Sequence, residues 1–354
     1  MPGVNIPETQ KAGILQNPGS DFAFSIENVQ IPTITPQQVL VKLSVTGVCG
    51  TDVALAKGYL GPTQQILGHE GVGKIVQVGA ACTNPNALLG QTVGVGWIRD
   101  ACGSCKNCAR DTTRCETQVF SGRDISGTLT SYVAVPDRYI TSLPQDVLPE
   151  LLAPVMCAGV TAYKALKVAG ATPGSWVLIS GAGGGVGVLA VSYAKAMGYR
   201  VIGVDGGSKR KRVVMDAGAE AYIDYQAQDD LKSVLLKETG GNLCAAAIVC
   251  AGATTAYESA IECLDYFGTL VAVGIPPPSW KVQIHPLILI DYGIRMIGSI
   301  TGDRADIAEA AEFVRRGVVV PKVTVVDLDS LDEWMQRIDE FEGEKLVVRL
   351  DSSV

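Results

Sequence analysis

Short apolar runs, each broken by glycine, proline or polar residues, fill the first part of the chain. Residues 39–45, 72–78, 92–97 and 129–135 read as strands, the second of them flanked by Gly71, Gly73 and Gly79. Many short strands separated by glycine turns predict a mostly β, partly closed unit over residues 1–160. The rhythm then changes. Residues 159–168 carry a helical pattern, and Pro173 and Gly174 punctuate before the next apolar run at 176–179. Further strands are predicted at 200–204, 221–223, 245–249, 270–273 and 295–299. Helices are predicted at 209–217, 229–239, 255–264, 307–316 and 331–341. Six strands alternating with helices predict an α/β, doubly wound parallel sheet over 161–300. The terminal strand at 345–350 is expected to return to the first unit, so that 301–354 completes it and the α/β unit is an insertion.

The join between the first two strands of that sheet is the most informative stretch. It reads S-G-A-G-G-G-V-G over 180–187, followed by a small-residue helical run, a second apolar strand and then Asp205. Strand, glycine turn, helix, strand and acid make the dinucleotide-binding βαβ unit. Glycines let the backbone approach a pyrophosphate, and the helix N-terminus offers free N–H groups to its charge. The leading fingerprint position is Ala182, and Gly184, Gly185 and Gly187 take the others. An acid at the end of the second strand accepts hydrogen bonds from a ribose diol and repels a 2′-phosphate, which argues for NAD over NADP. The basic run Lys209, Arg210, Lys211 and Arg212 weakens that discrimination, unless it is only the solvated first turn of the next helix.

With 354 residues the chain is long enough for two domains. Its formal net charge is −7 and it has no long basic tract, so nucleic acid is not an expected partner. No apolar run of about eighteen residues predicts a membrane span. Residues 1–13 contain Pro2, Pro7 and Glu8 and no apolar signal core, so a cytoplasmic protein is expected.

Ten cysteines in such a chain point to metal rather than to a disulfide scaffold. Cys102, Cys105, Cys108 and Cys115 lie close enough to wrap one tetrahedral ion with no position left for substrate, which is the pattern of structural zinc in a lobe at 99–116. A redox pair is disfavoured because the segment is loop-like. A second, dispersed set is Cys49, His69 and Cys157. Two thiols and an imidazole give a three-ligand zinc with an open position. Glu70 follows His69 and is a fourth candidate ligand or an outer carboxylate. Asp52 can orient the His69 ring, and the Thr51 hydroxyl is the natural partner for a hydroxyl group bound at the open metal position. The only other histidine, His285, reads as structural. Cys82, Cys244, Cys250 and Cys263 read as small buried side chains.

Together these segments resemble the zinc-dependent medium-chain alcohol dehydrogenases, the fungal, yeast-type enzymes above all. The motifs are G-V-C-G-T-D at 47–52, G-H-E-G-V-G at 68–73, the four-cysteine lobe, C-A-G-V-T-A-Y-K-A-L-K at 157–167, I-S-G-A-G-G-G-V-G at 179–187 and Y-A-K-A-M-G-Y-R-V-I-G-V-D-G-G at 193–207. The resemblance implies a GroES-like catalytic domain beside the Rossmann domain, two zinc ions per subunit, NAD(H), and a homotetramer or homodimer. It implies an enzyme interconverting small-molecule alcohols with aldehydes or ketones. Cys49, His69, Cys157 and Glu70 fall on the catalytic zinc, Thr51 and Asp52 beside it. Gly181, Gly184, Gly185, Val186, Gly187, Asp205, Lys209, Val273 and Lys345 fall on the cofactor contacts. Departures from the family pattern are Gly50 and Ala54 in place of histidines, Ala56 in place of a pocket tryptophan, Lys345 in place of a pyrophosphate arginine, and a shortened step to Cys115. Ala56 suggests room for substrates bulkier than ethanol, with Trp97 as one wall. The alternatives are a polyol or amino-alcohol dehydrogenase of the same superfamily, and a zinc- and NAD-binding scaffold without turnover.

Overall fold

The computed structural model describes residues 6–350 apart from 229, 278 and 342, and not the side chain of 339. The outermost residues of the expected 1–160 and 301–354 segments, and the first residue of the helix expected at 229–239, lie outside that set. A hairpin of β1 (Thr9–Gln16) and β2 (Ala23–Gln30) opens the chain, with Thr9 opposite Gln30. There follow β3 (Gln38–Gly47), α1 (Gly50–Ala56), β4 (Glu70–Val78), α2 (Pro85–Leu88), β5 (Thr92–Val95), β6 (Ile98–Asp100), β7 (Val119–Phe120), β8 (Tyr132–Pro136), β9 (Thr141–Ser142), α3 (Pro149–Leu152) and α4 (Ala158–Ala169).

The second half alternates. It comprises β10 (Trp176–Ser180), α5 (Gly185–Ala196), β11 (Arg200–Asp205), α6 (Ser208–Asp216), β12 (Ala221–Asp224), α7 (Leu231–Glu238), β13 (Cys244–Val249), α8 (Thr254–Glu262), β14 (Leu264–Ala272), α9 (Pro286–Tyr292) and β15 (Arg295–Gly298). α10 (Arg304–Arg315), β16 (Val323–Asp327), α11 (Leu331–Gln336) and β17 (Lys345–Arg349) close the chain.

β10 to β15 form one six-stranded sheet in the order β12-β11-β10-β13-β14-β15, every pair parallel. The chain builds outward from β10 to β12, crosses back, and builds outward again from β13. The β10/β13 boundary is therefore the switch point, where a crevice opens beyond the carboxyl ends of the strands. Their composition explains the burial. β10, W-V-L-I-S, is buried at every position, as a strand covered by helices on both faces must be.

The other large sheet centres on β3, whose ten residues serve two neighbours on one edge. β8 pairs with residues 38–42 and β17 with residues 45–47, while β4 runs the length of the other edge. The terminal strand thus returns to the first sheet. One apolar cluster joins the two sheets, running from Val45 and Val72 through α4 to Val177, Ile179 and α10. Fully buried side chains such as Leu43 and Ile179 contribute about 1.5–3 kcal/mol each.

Some expectations shift. The strand expected at 129–135 begins only at Tyr132, because Leu129 pairs instead with Gly13 and Leu67. The helix expected at 331–341 ends at Gln336 and continues as a short 3₁₀ turn, Ile338–Glu340. The hairpin β1–β2 and the strand β16 add to the predicted set. Cys250 is not a buried filler: it is half-buried and lines the crevice described below.

Candidate metal centres and dinucleotide cradle

α1 begins at Cys49 because Cys49 and Asp52 cap it reciprocally. The Cys49 thiol accepts from Thr51 N–H, and Asp52 Oδ2 accepts from Cys49 N–H at 3.0 Å. Asp52 is buried, and its other oxygen accepts from Gly68 N–H at 3.1 Å and from His69 Nδ1 at 2.9 Å. One carboxylate thereby fixes the helix start, the loop before β4 and the tautomer of His69. Cys157 stands just before α4 and brings its Sγ to 3.9 Å from Cys49 Sγ. Glu70, the first residue of β4, is fully buried. Its Oε1 accepts from Lys345 Nζ at 2.8 Å, and Lys345 also donates to the Val48 carbonyl at 2.8 Å.

Cys49, His69, Glu70 and Cys157, from three distant parts of the chain, bring one ligand atom each within 4.8 Å of one another. His69 Nε2 and Glu70 Oε2 are buried without a hydrogen-bond partner. Buried polar atoms are ordinarily satisfied, so an orphaned imidazole nitrogen beside two thiols is what a metal ligand set looks like. Thiolates on a tetrahedral zinc at about 2.3 Å stand about 3.8 Å apart, in line with the Cys49–Cys157 separation. Electrostatics agree. The hydrogen bond shared with Cys157 holds the Cys49 thiol well below its ordinary pKa, against burial, and Lys345 and His69 add to this. Cys157 is pushed up for the same reason. Burial pulls the His69 imidazole down, but Asp52 and Cys49 outweigh it and raise it, so the pocket favours positive charge. Burial lifts Glu70 to about 7, with Lys345 opposing.

The second cluster lies between β6 and β7. Cys102, Cys105, Cys108 and Cys115 also bring their sulfurs within 4.8 Å of one another, with Cys102 at 3.9 Å from Cys108 and 3.6 Å from Cys115. Backbone N–H groups point at the sulfurs: Cys105 N–H to Cys102, Cys108 N–H to Cys105, and Cys102 N–H and Thr117 N–H to Cys115. Led by the Ser104 N–H, such contacts bring Cys102 down to about 5. Four thiols with N–H support fill a tetrahedron and fit zinc with no open position. All ten cysteines are free, and the shortened step to Cys115 still closes the set.

The glycine turn follows β10. Gly181 takes a left-handed φ of +73°, and a Cβ on Gly187 would stand 1.9 Å from the Gly181 carbonyl, so helix and strand can meet only through glycine there. Gly184 caps α5 without a side-chain hydrogen bond, leaving the first-turn N–H groups of Gly185, Val186 and Gly187 facing the turn. Beside it a crevice of about 430 Å³ runs past Ser180, Gly181, Asp205, Arg210, Cys250 and Thr255. Val273 follows β14 at the same end of the sheet, its N–H held by the Val249 carbonyl. This cradle fits a dinucleotide: glycine backbone at the turn, an uncapped helix end and a crevice at the switch point.

Three sequence-derived details change. Lys345 does not present its ammonium to the glycine turn. The ammonium faces Glu70, and the stem is what approaches, with Cδ 3.6 Å from a Cβ placed on Gly185. Lys209 is exposed, and it is Arg210 that reaches Asp205, at 2.8 Å. Within K-R-K-R no spacing signal separates the two. Ala56 is fully buried in the core of the first sheet, so it opens no room. Trp97 does stand at the site, edge-on to His69 at 5.2 Å and stacked on Phe120 at 5.0 Å. His285 caps α9 by accepting from Leu287 N–H.

Comparison with known proteins follows the same division. A family model described as zinc-binding dehydrogenase matches residues 185–316, and one described as alcohol dehydrogenase GroES-like domain matches 35–145. Alcohol dehydrogenase 2 of Emericella nidulans is 38% identical over 360 residues, covering 96% of this chain and 97% of its own length. An alcohol dehydrogenase of Geobacillus stearothermophilus is 37% identical over 322 residues, covering 90% and 93%. The solved structure of acetophenone reductase from Geotrichum candidum in complex with NAD matches with a TM-score of 0.85 at 25% identity, over 98% of this chain and 99% of that one. With a thiol–imidazole metal set, a four-thiol lobe and a dinucleotide cradle on this two-sheet frame, the chain belongs to the zinc-binding medium-chain alcohol dehydrogenases, NAD(H)-dependent oxidoreductases of alcohols and carbonyl compounds.

Proposed function

We propose that the enzyme reduces and oxidises substrates bulkier than ethanol, with an aromatic or branched group seated against Trp97. The observation that carries this reading is the flat Trp97–Phe120 pair standing beside the orphaned His69 Nε2. Cys49, His69 and Cys157 would hold the catalytic zinc, with Glu70 behind it, and Cys102, Cys105, Cys108 and Cys115 the structural one. Zinc supplies Lewis acidity toward the alcohol or carbonyl oxygen, and NAD(H) takes or gives the hydride. Asp52 keeps the His69 proton on Nδ1 and so leaves the Nε2 lone pair free to bind a metal. Lys345 neutralises Glu70 and limits the negative charge of the set. Thr51, half-buried on the first turn of α1, takes the substrate proton. Ala54 offers no imidazole to carry that proton onward. Gly181, Gly184, Gly185, Val186, Gly187, Asp205 and Val273 hold the dinucleotide.

The test follows absorbance at about 340 nm with NADH and a size-graded panel of aldehydes and ketones, with and without a zinc chelator. Chelator-sensitive turnover that favours aryl and branched carbonyls supports the reading. Faster turnover of acetaldehyde overturns the bulky-substrate part. A panel-wide silence from zinc-loaded protein would favour the scaffold instead.

A homo-oligomer is part of this proposal. Its support is the exposed apolar margin of the six-stranded sheet at β15.

A further inference from the structure

β6 is too short for its burial to alternate: Ile98 and Arg99 are both buried. Ile98 stands opposite Phe120 and Asp100 opposite Val119, two steps along β6 against one along β7. Arg99 is the extra residue of that bulge, and a bulge re-aims the side chain it carries. Here it turns a guanidinium inward, 3% exposed. Burial alone acts on this charge and pulls its pKa down to about 10. A buried cation is costly unless surrounding dipoles replace water. Among the described residues those dipoles are neutral. Nε donates to Ser121 Oγ at 3.2 Å, Nη1 to the Ala134 carbonyl at 2.9 Å and Nη2 to the Ser126 carbonyl at 3.1 Å.

Those acceptors belong to the segments that build the aromatic wall and the approach to His69. Ser121 is fully buried and grips both peptide groups that flank Trp97. Its N–H donates to the Trp97 carbonyl at 2.9 Å, and its Oγ donates to the Gly96 carbonyl at 2.7 Å. With Arg99 Nε donating to that oxygen, the hydroxyl proton is left for Gly96. Phe120, stacked on Trp97, is the residue before Ser121. The Ser126 carbonyl opens the segment that pairs with the loop before His69. Gly127 N–H donates to Ile66 at 2.7 Å, Thr128 N–H to Gly68 at 3.0 Å and Leu129 N–H to Leu67 at 2.9 Å. A Cβ on Gly127 would stand 2.3 Å from the Gly68 carbonyl, so that pairing is close. One guanidinium thus ties the Trp97–Phe120 wall and the loop leading to His69 to β8.

We propose that Arg99 is a positioning residue for the substrate site: through Ser121 it fixes the angle of the Trp97–Phe120 wall, and so sets how well the enzyme distinguishes a flat aryl carbonyl compound from a small aliphatic one. Its guanidinium touches neither the metal ligands nor the open side of the wall; it acts only through the backbone that carries the two rings. The planar fork is what lets one side chain reach acceptors in three directions, and lysine would keep the charge without that fork. This rests on the reading that the wall lines the substrate site.

The test is the ratio of kcat/KM for benzaldehyde to that for acetaldehyde, measured with NADH and zinc-loaded enzyme. Arg99→Lys and Ser121→Ala should each lower the ratio by about tenfold, the scale of one hydrogen bond, chiefly through the KM for benzaldehyde. The kcat for acetaldehyde should stay within about threefold of the parent. The double variant should lose no more than the larger single loss, because both changes remove the same contact. Near-ultraviolet circular dichroism, read as the difference from Trp97→Ala, should show a weakened indole signal in both single variants, and thermal melts confirm that each is folded. An unchanged ratio, an equal fall for both substrates, or additive losses in the double variant each overturn the proposal. If Trp97→Ala lowers the ratio and Arg99→Lys does not, only the role of Arg99 falls. If Trp97→Ala also leaves the ratio unchanged, or the zinc-loaded parent does not reduce benzaldehyde, the reading of the wall falls with it.

Discussion

Glu70 shows how tightly the catalytic cluster is packed around single atoms. Its Oε1 is taken by Lys345, and its Oε2 lies against Gly47, where an added Cβ would stand 2.1 Å away. Gly47→Ala should therefore displace the carboxylate without touching a thiol or the imidazole. Groups behind a metal site typically matter by about 10–100-fold, so turnover should fall by about tenfold or more while the four-cysteine lobe keeps its metal. Metal content by elemental analysis, set beside kcat, reads both effects. Asp52 holds three donors at once, from Cys49, Gly68 and His69. Asp52→Asn cannot accept equally from all three and should lower zinc affinity by about 10–100-fold. Equilibrium competition with a chelating dye measures this, and unchanged affinity would remove the orienting role of Asp52. Both arrangements depend on residues far apart in the chain. Cys49, His69 and Cys157 could be grouped from their residue types and local strings, and the family resemblance supported that grouping. The Lys345–Glu70 contact was not legible, because nothing local marks a lysine whose ammonium turns inward.

Among elements, the contact between α4 and α10 links the two metal centres. α4 starts beside Cys157. Its Lys164 donates to Asp306 on α10 at 2.7 Å and to Asp111 of the cysteine lobe at 3.1 Å, and its Lys167 donates to Asp306 at 3.0 Å. Burial alone would raise the Asp306 pKa, but Lys164 and Lys167 overcome it and hold the carboxyl below its ordinary value of 3.8. A lowered folded pKa gives stability that is present above the unfolded pKa and is lost as pH falls through the folded one. Asp306→Asn should destabilise the enzyme by about 1–3 kcal/mol at neutral pH, a figure reduced by the half-exposed Lys167. The gap between variant and parent should close below about pH 4 in denaturant melts. A gap independent of pH would assign the loss to the α10 cap instead. Replacing Cys102 by Ser should lower the melting temperature and release one zinc while the Cys49 cluster stays loaded. The elements themselves differed in legibility for physical reasons. The glycine turn and the cysteine lobe are local and need no tertiary information. β1 buries Gln10, whose side chain accepts from Tyr132 N–H, so its polar and apolar positions do not alternate. β16 is half-buried along most of its length, which leaves little pattern to read.

At the scale of the whole molecule the six-stranded sheet ends without a neighbour. β15 is the last strand in the order, and among the described residues nothing pairs with its outer edge. Around it stand exposed Met296, Ile290, Leu287, Tyr266 and Phe267. Phe267 is 78% exposed and takes a left-handed φ of 60°, an uncommon conformation for a bulky residue and one that needs support from its surroundings. An apolar edge strand is an aggregation hazard unless it is covered, and no charged side chain replaces the apolar ones at Met296 and Ile297. A second copy, related by a two-fold axis, can pair β15 with its counterpart antiparallel and cover the same apolar side chains on both subunits. Light scattering coupled to size exclusion should then find a dimer or a multiple of it. Met296→Lys with Ile290→Glu should shift it to the monomer, since each places a charge in the middle of the contact. The distances within the Cys49 cluster do not depend on that margin, so the dissociated variant should retain both zinc ions. A parent enzyme that is monomeric at all concentrations would show that the exposed edge serves something other than self-association.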